Sequence, residues 1–262
     1  MIPKIIHYCW LSEDKFPENI QKCIDSWKEN LPDYEFILWD TKKFNLEDST
    51  WVKEAFQSKK YAFAADYIRL YAVYNYGGIY MDTDVEVVKS FNELLHLPYF
   101  VGSEGKEIIE AGVFGAEKGI WWLKPCLEYY NDRKFIKEDG SFDTLTLPRI
   151  MMKQIGIDNS IKEMSPSIIM NSDYSKINNE VFMFPPDFFC AKNHGTGIIE
   201  KTENTFSIHH FAMSWMPKKV AFLPNIKRKM IKIVGPKPIL WLIDILKLRE
   251  IRSLFISNKS DL

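Results

Sequence analysis

The chain has no Cys-x-x-Cys pair; Cys9, Cys23, Cys126 and Cys190 are scattered over 262 residues. That spacing excludes a zinc ribbon or a dense disulfide scaffold and predicts reduced, packed thiols, as in a cytosolic protein. No run reaches the roughly 18 apolar residues a membrane span needs, so the chain is expected to be soluble or peripheral. Met1-Ile2-Pro3-Lys4 leads directly into a strand-like run with no leader-like pattern. A net charge of −1 gives no chain-wide basic surplus of the kind that grips nucleic acid. The glycine-rich phosphate loop of many nucleotidyltransferases is missing as well, since the first apolar run is followed by Leu11-Ser12-Glu13-Asp14. Internal repeats and low-complexity tracts are absent.

What is present is ample material for a core: 46% hydrophobic residues, with aromatics at 15%. Lys4–Trp10 and Tyr34–Asp40 are apolar, strand-like runs. Between them Ile20, Cys23, Ile24 and Trp27 recur at helical spacing behind Pro17. Strand, helix, strand with short connections opens a parallel α/β sheet. Helices are expected at 51–57, 61–74, 121–131 and 144–154, and strands at 99–102, 111–116 and 206–211. From 157 to 205 only short extended pieces between turns can be read. From Lys218 to Arg252 ten basic residues face two acidic ones, so residues 217–262 read as a basic, apolar-interleaved helical extension of a domain spanning 1–216.

The chain is organised around Gly77-Gly78-Ile79-Tyr80-Met81-Asp82-Thr83-Asp84. Glycines permit a sharp turn or a close approach. Asp82 and Asp84, read as the end of an extended strand, would point to one side. Two carboxylates brought together there repel unless a cation lies between them, and oxygen ligation suits Mg²⁺ or Mn²⁺. Just upstream, Asp66 and Arg69 are the only charges in an otherwise apolar helix and share a face. They form either a structural ion pair or a polar stripe facing the same pocket. Trp10 ends the first strand, where α/β sheets gather ligands, and could stack on a flat ring. Of the five histidines, His194, His209 and His210 lie in the C-terminal half, and an imidazole could supply a nitrogen ligand to such a site.

These stretches, with Ala65–Arg69 and Ser207–Trp215, resemble the bacterial glycosyltransferases of the DXD sugar-binding type. These are family-32-like enzymes of capsule and O-antigen (lipopolysaccharide) assembly, similar to the yeast outer-chain initiating mannosyltransferase and, at a distance, to the large clostridial glucosylating toxins. The resemblance implies a GT-A type α/β fold, a Rossmann-like and mostly parallel central sheet flanked by helices. It also implies a nucleotide-sugar donor, UDP-linked foremost, a divalent metal and retention of configuration. On that resemblance Trp10 stacks on the base, while Asp66 and Arg69 hold donor-sugar hydroxyls and the diphosphate. Asp82 contacts ribose or sugar hydroxyls, Asp84 ligates the metal, His210 or Ser214 completes its shell with His209 left open as the third ligand, and Trp215 closes over the diphosphate. The glycan acceptor would be lipid-linked, as on undecaprenyl diphosphate, with the enzyme on the inner face of the plasma membrane and residues 217–262 on anionic lipid. Met213 stands where relatives have Gly, and Glu110 or Ala111 stands near a common Asn, so donor choice stays open. The competing readings are a toxin-like protein glycosyltransferase, a nucleotidyltransferase, and a non-catalytic nucleotide-sugar binder.

Overall fold

The computed structural model describes residues 1–177, 179–212 and 218–245. The chain divides into one unit of Met1–Lys192 with Ile199–Trp215 and another of Asn193–Ile198 with Met216–Leu262. In the second unit Arg228 packs its stem over Gly197 and donates to the His194 carbonyl, which ties the 193–198 loop to the C-terminal helices.

The first unit begins with β1 (Ile5–Cys9), α1 (Glu18–Asn30) and β2 (Glu35–Trp39). Helix α1 starts behind Pro17, buries Ile20, Cys23, Ile24 and Trp27 as one stripe, and stops at Leu31-Pro32, where proline cannot continue a helix. Next come α2 (Thr50–Gln57), α3 (Tyr61–Tyr76), β3 (Gly78–Met81) and β4 (Val85–Val87), then β5 (Tyr99–Ser103) and β6 (Ile109–Ala116). Helix α3 is apolar on nearly every face and is buried along most of its length. The two helices expected beyond β6 are shorter: α4 covers Leu123–Glu128 and α5 covers Leu147–Ile155. Each carries a proline in its first turn, Pro125 and Pro148, where a missing N–H costs nothing. The stretch that reads poorly holds β7 (Ser160–Glu163), α6 (Pro166–Asn171), β8 (Glu180–Met183) and α7 (Pro186–Phe189). It is followed by β9 (Ser207–His209).

The central sheet has the order β2-β1-β3-β6-β5. Strands β2, β1 and β3 are mutually parallel, β6 is reversed, and β5 pairs antiparallel with β6, so four of the five strands share a direction. Alternation along the strands splits the core in two. Tyr80, Val101 and Phe114 face one cluster with α2, α3, α4 and α5, whereas Ile79, Met81, Phe100 and Val113 face another with α1, α6 and α7. The result is the helix-flanked, mostly parallel sheet expected of the GT-A type. β4 leaves this sheet and pairs with β9 instead. The second unit holds α8 (Lys218–Val234) and α9 (Pro236–Ile245); residues 217 and 246–262 of the expected extension lie outside the described residues, and no helix among the described residues is long and apolar enough to cross a membrane.

Candidate active site

The double glycine sets the site's position. Gly77 ends α3 with φ 70° and ψ 178°, a region open essentially to glycine alone. A Cβ on Gly78 would lie 2.7 Å from the Ile5 carbonyl oxygen, so only glycine lets β3 approach β1 here. Strand β3 ends at Met81, one residue before the first aspartate. Asp82, Thr83 and Asp84 then form a turn closed by the Val85 N–H on the Asp82 carbonyl, 3.0 Å. The extended-strand geometry expected of this pair is therefore not what converges the two carboxylates. The turn does so, because β4 must change sheets to reach β9.

Arg69 links α3 to that turn. Its Nη2 lies 3.1 Å from Asp66 Oδ1 and 3.2 Å from Asp82 Oδ1, and Nη1 donates to Asp82 Oδ2 and to the Ala111 carbonyl at 2.8 Å. Below it the Tyr80 ring lies 4.7 Å from the guanidinium carbon, and the Tyr80 hydroxyl donates to Asp82 at 2.8 Å. The two charges expected in this helix are thus both an ion pair and a face turned to the aspartates. Burial pushes the Asp66 carboxyl up to about 7 against the pull of Arg69. Burial also raises Asp82, opposed by Arg69 and His209. The guanidinium, for which burial is outweighed by the surrounding carboxylates, stays charged.

Facing the turn is His209, the last residue of β9 and the cross-strand partner of Val85. Its Nε2 is 3.4 Å from Asp84 Oδ1 and 4.0 Å from Asp82 Oδ2, and its Nδ1 is 3.0 Å from Glu110 Oε1. Asp84 is held further by the Ala212 N–H at 2.7 Å. Burial would lower His209, but Glu110 and Asp84 outweigh it and hold the imidazole well above its ordinary value. Burial would raise Asp84, yet His209 and the Ala212 N–H bring it below the usual carboxylate range. The acids on either side of the His209 ring thus favour its charged form.

His210, expected to complete the metal shell with its side chain, meets the aspartates through its backbone N–H, which donates to the Asp84 carbonyl at 3.0 Å. His210 follows the last residue of β9, and successive residues of extended chain face opposite sides; its ring turns away from the aspartates and its Nε2 meets Glu86 at 2.8 Å. Trp10 leaves β1 at the carboxyl edge of the sheet, the edge where Asp82 follows β3. Its ring meets Phe16 edge-on at 4.7 Å, and its indole N–H donates to the Asp14 carbonyl. Ser214 and Trp215 lie outside the described residues. His194 belongs to the second unit. The sequence pattern gives Tyr80 and Gly112 no role, and marks Glu110 as a departure from the family pattern. A carboxylate inside the apolar run Ile108–Ala116 is itself a signal, but its partner lies 99 residues away.

One ligand atom each from Asp82, Asp84 and His209 lies within 4.8 Å of the others. Two carboxylate oxygens and one imidazole nitrogen suit Mn²⁺ or Mg²⁺. The site also has the negative charge such an ion requires, so the residues fit a divalent cation.

Residues 17–101, which include Asp66, Arg69, Asp82 and Asp84, match the family model described as "Glycosyltransferase sugar-binding region containing DXD motif". The chain is 35% identical over 122 residues to inositol phosphoceramide mannosyltransferase 3 of Schizosaccharomyces pombe, covering 45% of this chain and 34% of that protein. It is 36% identical over 146 residues to mannosyl phosphorylinositol ceramide synthase SUR1 of Saccharomyces cerevisiae, covering 52% and 37%. The match thus spans about a third of each relative's length. Among solved structures the PaToxG glycosyltransferase shows 21% identity and a TM-score of 0.43 over 59% of this chain and 70% of that one. Over residues 17–101 the chain is similar to that sugar-binding region, and the matched stretch includes the Asp-x-Asp pair of Asp82 and Asp84.

Proposed function

We propose that the protein is a metal-dependent, retaining hexosyltransferase that moves a sugar from a nucleotide-sugar to a hydroxyl of a lipid-borne acceptor. The convergence of Asp82, Asp84 and His209 beside the Arg69 clamp carries this reading. A divalent cation bound there supplies charge stabilisation to the departing diphosphate. Arg69, fixed by Asp66, Asp82 and the Ala111 carbonyl, adds a second positive charge that needs no reorganisation. Asp66, beside the Arg69 clamp, accepts from donor-sugar hydroxyls, and Trp10 offers its partly exposed ring to the base.

Retention is assigned to a front-face displacement. The acceptor hydroxyl attacks the anomeric carbon on the face from which the diphosphate leaves. The glycosidic C–O bond to phosphate breaks with its electron pair on the phosphate oxygen, and that oxygen takes the acceptor's proton. Two observations support the absence of a covalent step at the nearest carboxylates. Glu110 is fully buried and engaged by His209 and the Gly112 N–H, and Asp66 is held by Arg69. A glycosyl adduct trapped on either carboxylate would refute it.

Two yeast relatives bear names of inositol phosphoceramide mannosylation, which supports mannose as the first sugar to try and a lipid-borne acceptor. The surface-polysaccharide acceptor and the cytoplasmic location rest on the sequence resemblance alone. The deciding experiment is donor hydrolysis across UDP- and GDP-hexoses with Mn²⁺, then with chelator. Asp84→Ala is expected to retain the wild-type circular dichroism and lose ~10²- to 10³-fold in turnover, on the scale of removing one strong electrostatic stabiliser. Near-wild-type turnover in that variant would remove the metal from the scheme.

A further inference from the structure

We infer that Glu110 is a positioning residue: its buried carboxylate accepts the Nδ1–H of His209 and so presents Nε2 to the aspartates as the nitrogen donor for a divalent cation. The inference rests on the metal reading above and extends it to a strand outside the matched region, since β6 begins at Ile109.

A ligating histidine has two ring nitrogens, and the one that does not bind metal keeps a proton that needs an acceptor. Here that acceptor is already built. Glu110 is 0% exposed, its Oε1 lies 3.0 Å from Nδ1, and the same oxygen receives the Gly112 N–H. On the other side of the ring, Nε2 lies 3.4 Å from Asp84. Phe211 stacks on the imidazole with centroids 4.2 Å apart, which restricts tilting.

Gly112 is what makes the arrangement possible. A Cβ there would lie 2.7 Å from Glu110 Oε1, 2.7 Å from His209 Cε1 and 2.8 Å from Nδ1. Any other residue would displace the carboxylate or the ring. The neighbouring backbone serves the rest of the site: the Ala111 carbonyl accepts from Arg69, and the Gly112 carbonyl accepts from the Asp82 N–H at 2.8 Å. Glu110, Ala111 and Gly112 therefore fix the imidazole, the guanidinium and the aspartate turn from one strand.

The other histidine–carboxylate pair supplies the control. His210 and Glu86 are as close, at 2.8 Å, but on the opposite face of the β4–β9 ribbon. Mn²⁺ binding to the full chain, followed by the loss of the free-ion EPR signal, is expected to weaken about ten- to a hundredfold in Glu110→Gln and to stay unchanged in Glu86→Gln. Wild-type affinity in Glu110→Gln, or an equal loss in Glu86→Gln, would overturn the assignment while leaving the metal reading standing. No Mn²⁺ binding by the wild-type chain would overturn both. Should Glu110→Gln fail to fold, ring-nitrogen NMR of the Mg²⁺-loaded wild-type chain decides: the His209 proton on Nδ1 supports the inference, and on Nε2 refutes it.

Discussion

His209 illustrates how far single residues determine this site. Its imidazole gains two carboxylate neighbours on folding, so it holds its proton more tightly than the ordinary value near 6.5. A group raised in this way contributes stability fully below the unfolded value and loses it as pH rises through the folded one. Glu104, at the rim of the same cluster, is pushed up to about 8 by burial and by Glu110, and its contribution has the same sign. In chelator, the thermal midpoint is therefore expected to fall as pH rises from about 6.5 to about 8. His209→Gln should flatten that slope, and a slope unchanged by the substitution would show that the proton resides elsewhere. The aspartates, Asp66 and Arg69 were legible in the sequence because charge inside apolar runs is costly and so conspicuous. The choice of His209 over His210 was not. His209 closes β9 and His210 follows it, and which ring faces the aspartates is set by the pairing of His209 with Val85 of β4, more than 120 residues earlier.

At the scale of elements, helices α1 and α3 follow from apolar spacing and from an almost unbroken apolar run. The strands flanking α1 follow equally from their composition. The aspartate pair lies in a turn and not in extended chain because the strand's end is decided by tertiary pairing: the Asp82 N–H donates to the Gly112 carbonyl of β6, whereas Val85 goes over to β9. The residues from 157 to 205 resisted reading for a related reason. Their elements are three to six residues long and are held by partners such as Val101 and Phe206 far away in the chain. The double glycine connects these levels. Gly77→Ala forces an alanine into a backbone region costing about 1–3 kcal/mol, and its Cβ would meet the Lys118 backbone nitrogen at 2.9 Å. Urea unfolding should show a loss of at least that size. Donor hydrolysis should fall too, because the start of β3 determines where Asp82 emerges. A variant as stable as wild type would show that the α3–β3 junction relaxes without strain.

For the whole molecule, the charge asymmetry read from the sequence becomes a question of which surface meets the acceptor's surroundings. In the second unit Ile226, Met230, Ile233 and Val234 are exposed along α8, and Trp241 is exposed on α9. The first three recur at i, i+4 and i+7, which places them in one stripe. Lys229, Lys232 and Lys237 are exposed beside them. Bulky apolar groups interleaved with lysines and without a long apolar run favour lying on a bilayer rather than crossing it. Each lysine near an anionic surface contributes about 1 kcal/mol, so three lysines correspond to on the order of a hundredfold preference for anionic over neutral vesicles. The full chain is expected to float with phosphatidylglycerol-containing vesicles at low salt and to be released as salt rises through the range where the Debye length falls below about 10 Å. Ile233→Asp should reduce recovery by removing an apolar contact and adding repulsion, while donor hydrolysis in solution stays at the wild-type rate because the catalytic cluster is built within the first unit. Equal recovery of wild type and Ile233→Asp would remove the bilayer from the account of acceptor access. Hydrolysis lost along with flotation would mean that the C-terminal helices support the catalytic unit itself.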